Sequence, residues 1–260
     1  LRDIEESVLE TEEVDDLMRA VEGELISARY GEAVRLEIAH DCPAEHMEYL
    51  LEMFELDRDD LYPVDGPVNL NRLMAVYQLT SRDDLRDARF TPGQQKAVVA
   101  ADNLFAAIAD RDLLLHHPYE SYGPVIDFIG KAAQDPDVLA IKMTLYRTGP
   151  ESPIVDALVT AAQAGKEVTV SIELRARFDE AANIKLANRL QEAGAHVVYG
   201  VVGFKTHCKL ALVVRREGGR LRRYVHLGTG NYHTGTARIY TDYSLLSADE
   251  ALGDDVHHVF

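Results

Sequence analysis

The chain has 260 residues, 47% of them hydrophobic and 27% charged, with a formal net charge of −17. That composition excludes a disordered, collagen-like or rod-forming chain, and no apolar run approaches the roughly 18 residues of a membrane span. The acidity is uneven: residues 1–100 carry 24 acids against 10 bases, whereas residues 138–240 carry 8 against 15. One segment of an acidic protein is therefore basic, either as a mixed surface face or as an anion site, and the motifs must decide between them.

The chain opens on Leu1 and runs at once into Arg2, Asp3, Glu5 and Glu6, so a fragment of a longer protein without a secretory signal is expected. Cys42 and Cys208 have neither a metal-ligand spacing nor a disulfide framework. Such usage fits a reducing, cytoplasmic compartment.

Residues 1–93 read as a small α+β unit. Thr11 can cap a helix carrying Val14, Leu17, Met18, Val21 and Leu25 at helical spacing, with Gly31 as its stop. Val34, Leu36 and Ile38 alternate with Arg35 and Glu37, as in a half-buried strand, and Pro43 opens a helix to about Phe54. A polar stretch over 80–93 forms a junction before a helix over 94–109, so a second domain is placed at 94–260.

From residue 118 the pattern becomes β/α alternation. Residues 138–145 form a nearly continuous apolar strand ending at Tyr146 and Arg147. Ser152 and Pro153 start a helix stopped by Gly165; residues 168–174 form a second strand ending at Arg175 and Arg177. Asp179 starts another helix stopped by Gly194, and residues 196–199 form a third strand. These crossovers imply a parallel sheet, to which a hairpin around Gly218-Gly219 adds antiparallel strands over 209–216 and 221–227. The expected fold class is α/β with a mixed sheet.

Ligands of open α/β sheets gather beyond the carboxyl ends of the strands, where Arg147, Arg175 and Arg177 fall. Converging guanidinium groups suit phosphate, whose oxygens they match bidentately. In Lys205-Thr206-His207-Cys208-Lys209, an extended backbone would put Lys205, His207 and Lys209 on one face and turn Cys208 inward as a packed thiol. A neutral imidazole flanked by cations is a competent nucleophile toward a phosphoryl group. The run Gly228-Thr229-Gly230-Asn231 lets backbone approach an anion closely. Tyr240 would share a face with Asp242 in an extended segment and could stack on a base, core packing being the plainer reading. His116 and His117, followed by Pro118, are read as structural rather than metal ligands.

Six ordered motifs together resemble the polyphosphate kinase family, whose core is similar to phospholipase D. They are Leu115-His116-His117-Pro118-Tyr119-Glu120-Ser121, Lys142-Met143-Thr144-Leu145-Tyr146-Arg147, the run from Glu173 to Glu180, Lys205 to Lys209, His226 to His233, and Tyr240-Thr241-Asp242. The resemblance implies a middle domain over 1–93 and a first C-terminal, phospholipase-D-like catalytic domain over 94–260. It implies reversible transfer of the γ-phosphate of ATP to inorganic polyphosphate through a phosphohistidine at His207, with magnesium as cofactor. It assigns Arg147 and Arg177 to the magnesium site, read here as holding the phosphates that magnesium bridges because arginine has no lone pair to donate. Tyr240 is expected to contact the nucleotide, and Lys205, Lys209, Arg175, Thr229 and Asn231 the phosphates.

The partners implied are ATP, ADP and polyphosphate, not nucleic acid. The full-length enzyme is expected to be a homo-oligomer, with association to a membrane left open. The family carries a further C-terminal domain with a second active-site histidine, so full activity of this stretch alone is not expected. Two rivals stand beside this reading. A phospholipase-D-like phosphodiesterase would need an Asp where Val214 stands, and a polyanion-binding module would have lost catalysis with the absent domain.

Overall fold

A computed structural model describes residues 18, 19, 21, 23, 33–88, 90–101, 103–149, 151–176, 178–200 and 204–260. The expected helix begun at Thr11 therefore lies mostly outside the described residues, as does Arg177. The chain divides into two compact units, the division in this region falling between Phe90 and Thr91.

In the first unit, β1 (Leu36–Ala39) pairs in parallel with β2 (Leu61–Val64), and α1 (Ala44–Phe54) connects them. Ile38 and Leu51 supply its buried apolar contacts. Val34 lies before the strand rather than in it, and α1 follows Pro43 directly. The short helix α2 (Met74–Leu79) lies in the exposed stretch that follows.

The second unit begins with α3 (Lys96–Ala100) and α4 (Leu104–Asp110), where one helix over 94–109 was expected. The break is a capping event: the Asn103 side chain accepts the Ala106 N–H at 2.7 Å and restarts the helix. Then come β3 (Leu113–His117), α5 (Gly123–Gln134), β4 (Val138–Leu145), α6 (Pro153–Gln163), β5 (Glu167–Ile172), α7 (Glu180–Glu192) and β6 (His196–Val198). The hairpin strands β7 (Lys209–Glu217) and β8 (Arg220–Gly228), then β9 (Asp242–Ser247) and α8 (Glu250–Val259), complete the described chain. Gly218 and Gly219 take φ of 54° and 82°, the left-handed pair that a two-residue hairpin turn requires.

These strands form one seven-stranded sheet in the order β3-β9-β8-β7-β4-β5-β6. β4, β5 and β6 are parallel; the other pairings are antiparallel, so the sheet is mixed, as the sequence predicts. β4 buries residues on both faces, Ala140 and Thr144 on one and Ile141, Met143 and Leu145 on the other, which is why it reads as a nearly continuous apolar run. Phe128 and Ile129 of α5 and Ile154 and Leu158 of α6 are fully buried, and Val256 of α8 packs on Leu212 and Val225. Among the described residues no helix is long and apolar enough to cross a membrane.

Candidate functional site

Strand direction gathers the candidate residues. β4 and β5 run in parallel and end at Leu145 and Ile172, so Tyr146-Arg147 and Glu173-Leu174-Arg175 leave the same edge. β7 is antiparallel to β4, and Lys209 starts it at that edge. Lys209 faces Gly228, the end of β8, while Asp242, the start of β9, faces His117, the end of β3. Segments from six strands thus meet at one end of the sheet.

At the centre stands the ring of Tyr146. The His207 imidazole meets it edge-on with centroids 5.1 Å apart, Lys209 Nζ lies 5.3 Å from its centroid, and the Arg147 guanidinium carbon 5.7 Å. The Lys209 ammonium donates to the His207 carbonyl at 2.5 Å. Burial lowers the Lys209 pKa below the ordinary lysine value, while Cys208 and Asp242 pull it back up.

Residues 205–208 are not part of a strand; β7 begins only at Lys209. Their backbone groups are held by side chains instead. The buried Glu173 carboxylate accepts the Thr206 N–H at 2.7 Å, and the Thr144 hydroxyl donates to the Cys208 carbonyl at 2.7 Å. The alternation expected of an extended run therefore fails: Lys205 and His207 are exposed, Lys209 is buried, and Cys208 is exposed rather than packed.

The remaining candidates divide. Arg147 Nε pairs with Asp179 Oδ2 at 3.2 Å, both side chains half-exposed, beside a cleft of about 380 Å³ lined by Thr148, Gly149, Ser152, Asn183 and Arg189. The Arg175 N–H is bound by Glu173 Oε1 at 2.9 Å. The Thr229 hydroxyl donates to Asp242 Oδ1 at 2.8 Å and accepts the Tyr243 N–H at 2.9 Å, so it is committed to the loop. Asn231 accepts the His233 N–H on its carbonyl and keeps a buried amide oxygen with no partner among the described residues. Tyr240 is 62% exposed, but its N–H closes a helical turn onto the Thr236 carbonyl. It does not share an extended segment with Asp242, because β9 starts at Asp242 itself.

Four further residues of this edge carry no role in the sequence reading; Glu173, His226 and Tyr232 stand within its motifs and Asn183 outside them. Glu173 and Asn183 are nearly fully buried, and Asn183 Nδ2 donates to the Tyr146 carbonyl at 2.9 Å and the Glu173 carbonyl at 2.8 Å. His226 and Tyr232 are also buried, with Nδ1 2.7 Å from the phenol oxygen. Burial, with a smaller contribution from His117, pushes the His226 pKa down to about 3, and burial pushes the Tyr232 and Tyr122 phenols up. The signal for Glu173, Asn183 and His226 is a polar residue between apolar neighbours, as for His226 between Val225 and Leu227, whereas Tyr232, between Asn231 and His233, has none.

Both histidines of the pair make contacts within the fold. His117 Nδ1 lies 3.0 Å from the Glu120 carbonyl and Nε2 2.9 Å from Ser244 Oγ, while the His116 ring stacks on Tyr243 at 4.6 Å. No three His, Cys, Asp or Glu side chains group as metal ligands among the described residues. Val214 packs against the apolar cluster of Leu212, Val225 and Val256.

An α/β domain with an imidazole and several cations collected at one sheet edge belongs to the class that binds ligands beyond its strand ends. Residues 103–260 match the family profile of the polyphosphate kinase C-terminal domain 1, and residues 1–76 that of the polyphosphate kinase middle domain. The chain belongs to the polyphosphate kinase family.

A polyphosphate kinase of Pseudomonas putida is 58% identical over 252 residues, covering 97% of this chain and 35% of that protein. One of Pseudomonas aeruginosa is 59% identical over 252 residues, covering 97% of this chain and 36% of that protein. The crystal structure of polyphosphate kinase from Porphyromonas gingivalis superposes with a TM-score of 0.72 at 33% identity, covering 87% of this chain and 34% of that one. The chain thus spans little more than a third of the length of the curated relatives it matches.

Proposed function

We propose that this chain is the part of a polyphosphate kinase that takes the γ-phosphate of ATP onto His207 and passes it, reversibly, to inorganic polyphosphate. The observation that carries this reading is the His207 imidazole, exposed at the sheet edge on a backbone anchored from both sides, with Tyr146, Arg147 and Lys209 around it. Strong identity to named polyphosphate kinases supports the substrate class.

In the proposed step, the lone pair of one His207 ring nitrogen forms a bond to the γ-phosphorus. The bond from that phosphorus to the bridging oxygen breaks, and its electron pair leaves on ADP. A terminal oxygen of polyphosphate then attacks the same phosphorus and the P–N bond returns its pair to His207. Lys205, Arg147, Arg175 and Arg177 are proposed to neutralise the phosphates, where fixed positive charge is worth most as negative charge is transferred. Lys209, bonded to the His207 carbonyl, adds charge while holding the backbone. Thr229 shapes its loop through Asp242, Asn231 is proposed to reach the phosphates, and Tyr240 the nucleotide.

Magnesium is not fitted by direct ligands among the described residues, which offer no carboxylate or imidazole cluster, and arginine cannot ligate it. We propose that it arrives on the nucleotide phosphates as part of the substrate. A cytoplasmic, homo-oligomeric full-length enzyme belongs to the same proposal, supported by the resemblance alone. The phosphodiesterase reading is disfavoured, since the place its Asp would occupy is Val214, packed among apolar side chains.

The test is made in the full-length enzyme. Incubation with labelled ATP and magnesium should give an acid-labile, base-stable phosphoprotein, and His207→Gln should abolish both the label and synthesis. Cys208→Ala should keep the label. Label that survives His207→Gln but vanishes when His226 or His233 is replaced overturns the assignment.

A further inference from the structure

We infer that Glu173 is a positioning residue that holds the His207 segment and the Arg175 segment in one fixed frame. The inference rests on the reading of His207 as the phosphate acceptor. Every polar group of Glu173 is in use. Its N–H donates to the Leu145 carbonyl at 3.0 Å, its carbonyl accepts from Asn183 at 2.8 Å, and its two carboxylate oxygens accept from Arg175 N–H and Thr206 N–H. Glu173 as a residue is 6% exposed. A carboxylate is costly to bury unless its oxygens are satisfied, and backbone N–H donors to a charged acceptor make short, strong bonds.

Topology gives this arrangement its purpose. β5 and β7 are not neighbours, because β4 lies between them. No sheet ladder can therefore register the segment after β5, which bears Arg175, against the segment before β7, which bears His207. The Glu173 carboxylate spans that gap across the end of β4, and Asn183 ties the Glu173 carbonyl to that of Tyr146, just past the end of the middle strand. In-line transfer depends on the distance and angle between nucleophile and phosphate, and a displacement of 1 Å can cost about 100-fold in rate. A carboxylate bridge between the nucleophile's segment and a phosphate-facing segment controls that quantity without touching substrate.

The test uses the full-length enzyme and two variants. Glu173→Gln replaces one acceptor oxygen with an amide that cannot accept, leaving the Thr206 or the Arg175 N–H unpaired. Asn183→Ala leaves the carboxylate intact but releases the carbonyls of Glu173 and Tyr146. Single-turnover labelling at saturating ATP is measured where thermal melts show each variant fully folded. Both should label about tenfold or more slowly, with KM for ATP within about threefold, and the double variant should lose less than the product of the two losses. If Glu173→Gln does not fold, Asn183→Ala decides alone by the same criterion. Folded variants that label within about threefold of the parent, with only a lowered melting temperature, overturn the inference and leave a structural carboxylate. No label in the unsubstituted enzyme overturns the reading of His207 instead, and the inference falls with it.

Discussion

The rings of Tyr146 and His207 meet in a T, centroids 5.1 Å apart and planes at 78°, and the centroid of the Tyr146 ring lies 5.3 Å from Lys209 Nζ. The one ring thus makes a T-shaped contact with an imidazole and a cation–π contact with an ammonium. The ring, rather than the hydroxyl, makes these contacts. Tyr146→Phe should therefore keep phosphohistidine formation within about twofold, and Tyr146→Leu should slow it by about tenfold, the value of one aromatic contact plus one cation–π contact. Equal rates in all three proteins, read from labelling time courses, would show that the ring is mere packing.

Arg147 is shared between the site and Asp179, 3.2 Å away across a half-exposed ion pair. Such a pair contributes only about 0.2–1 kcal/mol to stability. Arg147→Ala should weaken binding of inorganic tripolyphosphate clearly while leaving the melting temperature almost unchanged. Asp179→Asn removes a competing carboxylate and should tighten binding, most visibly at low salt. Titration calorimetry at two ionic strengths checks both, and a large melting shift with unaltered binding would mark Arg147 as a structural ion-pair residue.

Gly230 is held under Asp242: a Cβ there would sit 2.4 Å from Asp242 Oδ2 and 2.6 Å from its Cγ. The Asp242 carboxylate cannot simply swing away, because the Thr229 hydroxyl is bonded to it. Gly230→Ala should displace that carboxylate or the loop, costing about 1–3 kcal/mol as other overpacked sites do. Denaturant unfolding that matches the parent within error would mean the loop yields freely.

The β/α alternation from residue 138 was legible because buried parallel strands read as apolar runs and their helices carry Pro and Gly punctuation. Less legible were the edge strand Leu113–His117, which ends in two histidines, and Asp242–Ser247, which ends in serine. Periodicity cannot register them, since their polar residues are satisfied by partners far along the chain, as His117 is by Ser244. The same holds at the site. His207 and its basic neighbours were visible as a local motif, whereas the Thr206 and Cys208 backbone bonds to Glu173 and Thr144 are long-range facts. Those bonds replace a strand ladder, so the alternation argument placed Cys208 inside when it lies outside.

His226 carries the pH dependence of stability that follows most directly from this site. It is wholly buried beside Tyr232, and burial, reinforced by His117, pushes its pKa from 6.5 down to about 3. The folded protein thus keeps it neutral where the unfolded chain would protonate it. Between about pH 6.5 and pH 3 the unfolded state binds the extra proton, so the contribution is present above that window and is lost as the pH falls through it. The slope approaches about 1.4 kcal/mol per pH unit, or about 2 kcal/mol between pH 7 and pH 5. His226→Gln keeps a polar side chain that can meet the Tyr232 hydroxyl but does not titrate. Urea unfolding at pH 7, 6 and 5 should give the parent a stability loss steeper than the variant's by about that amount. Parallel profiles for the two proteins would show that His226 gains its proton as readily in the fold as out of it.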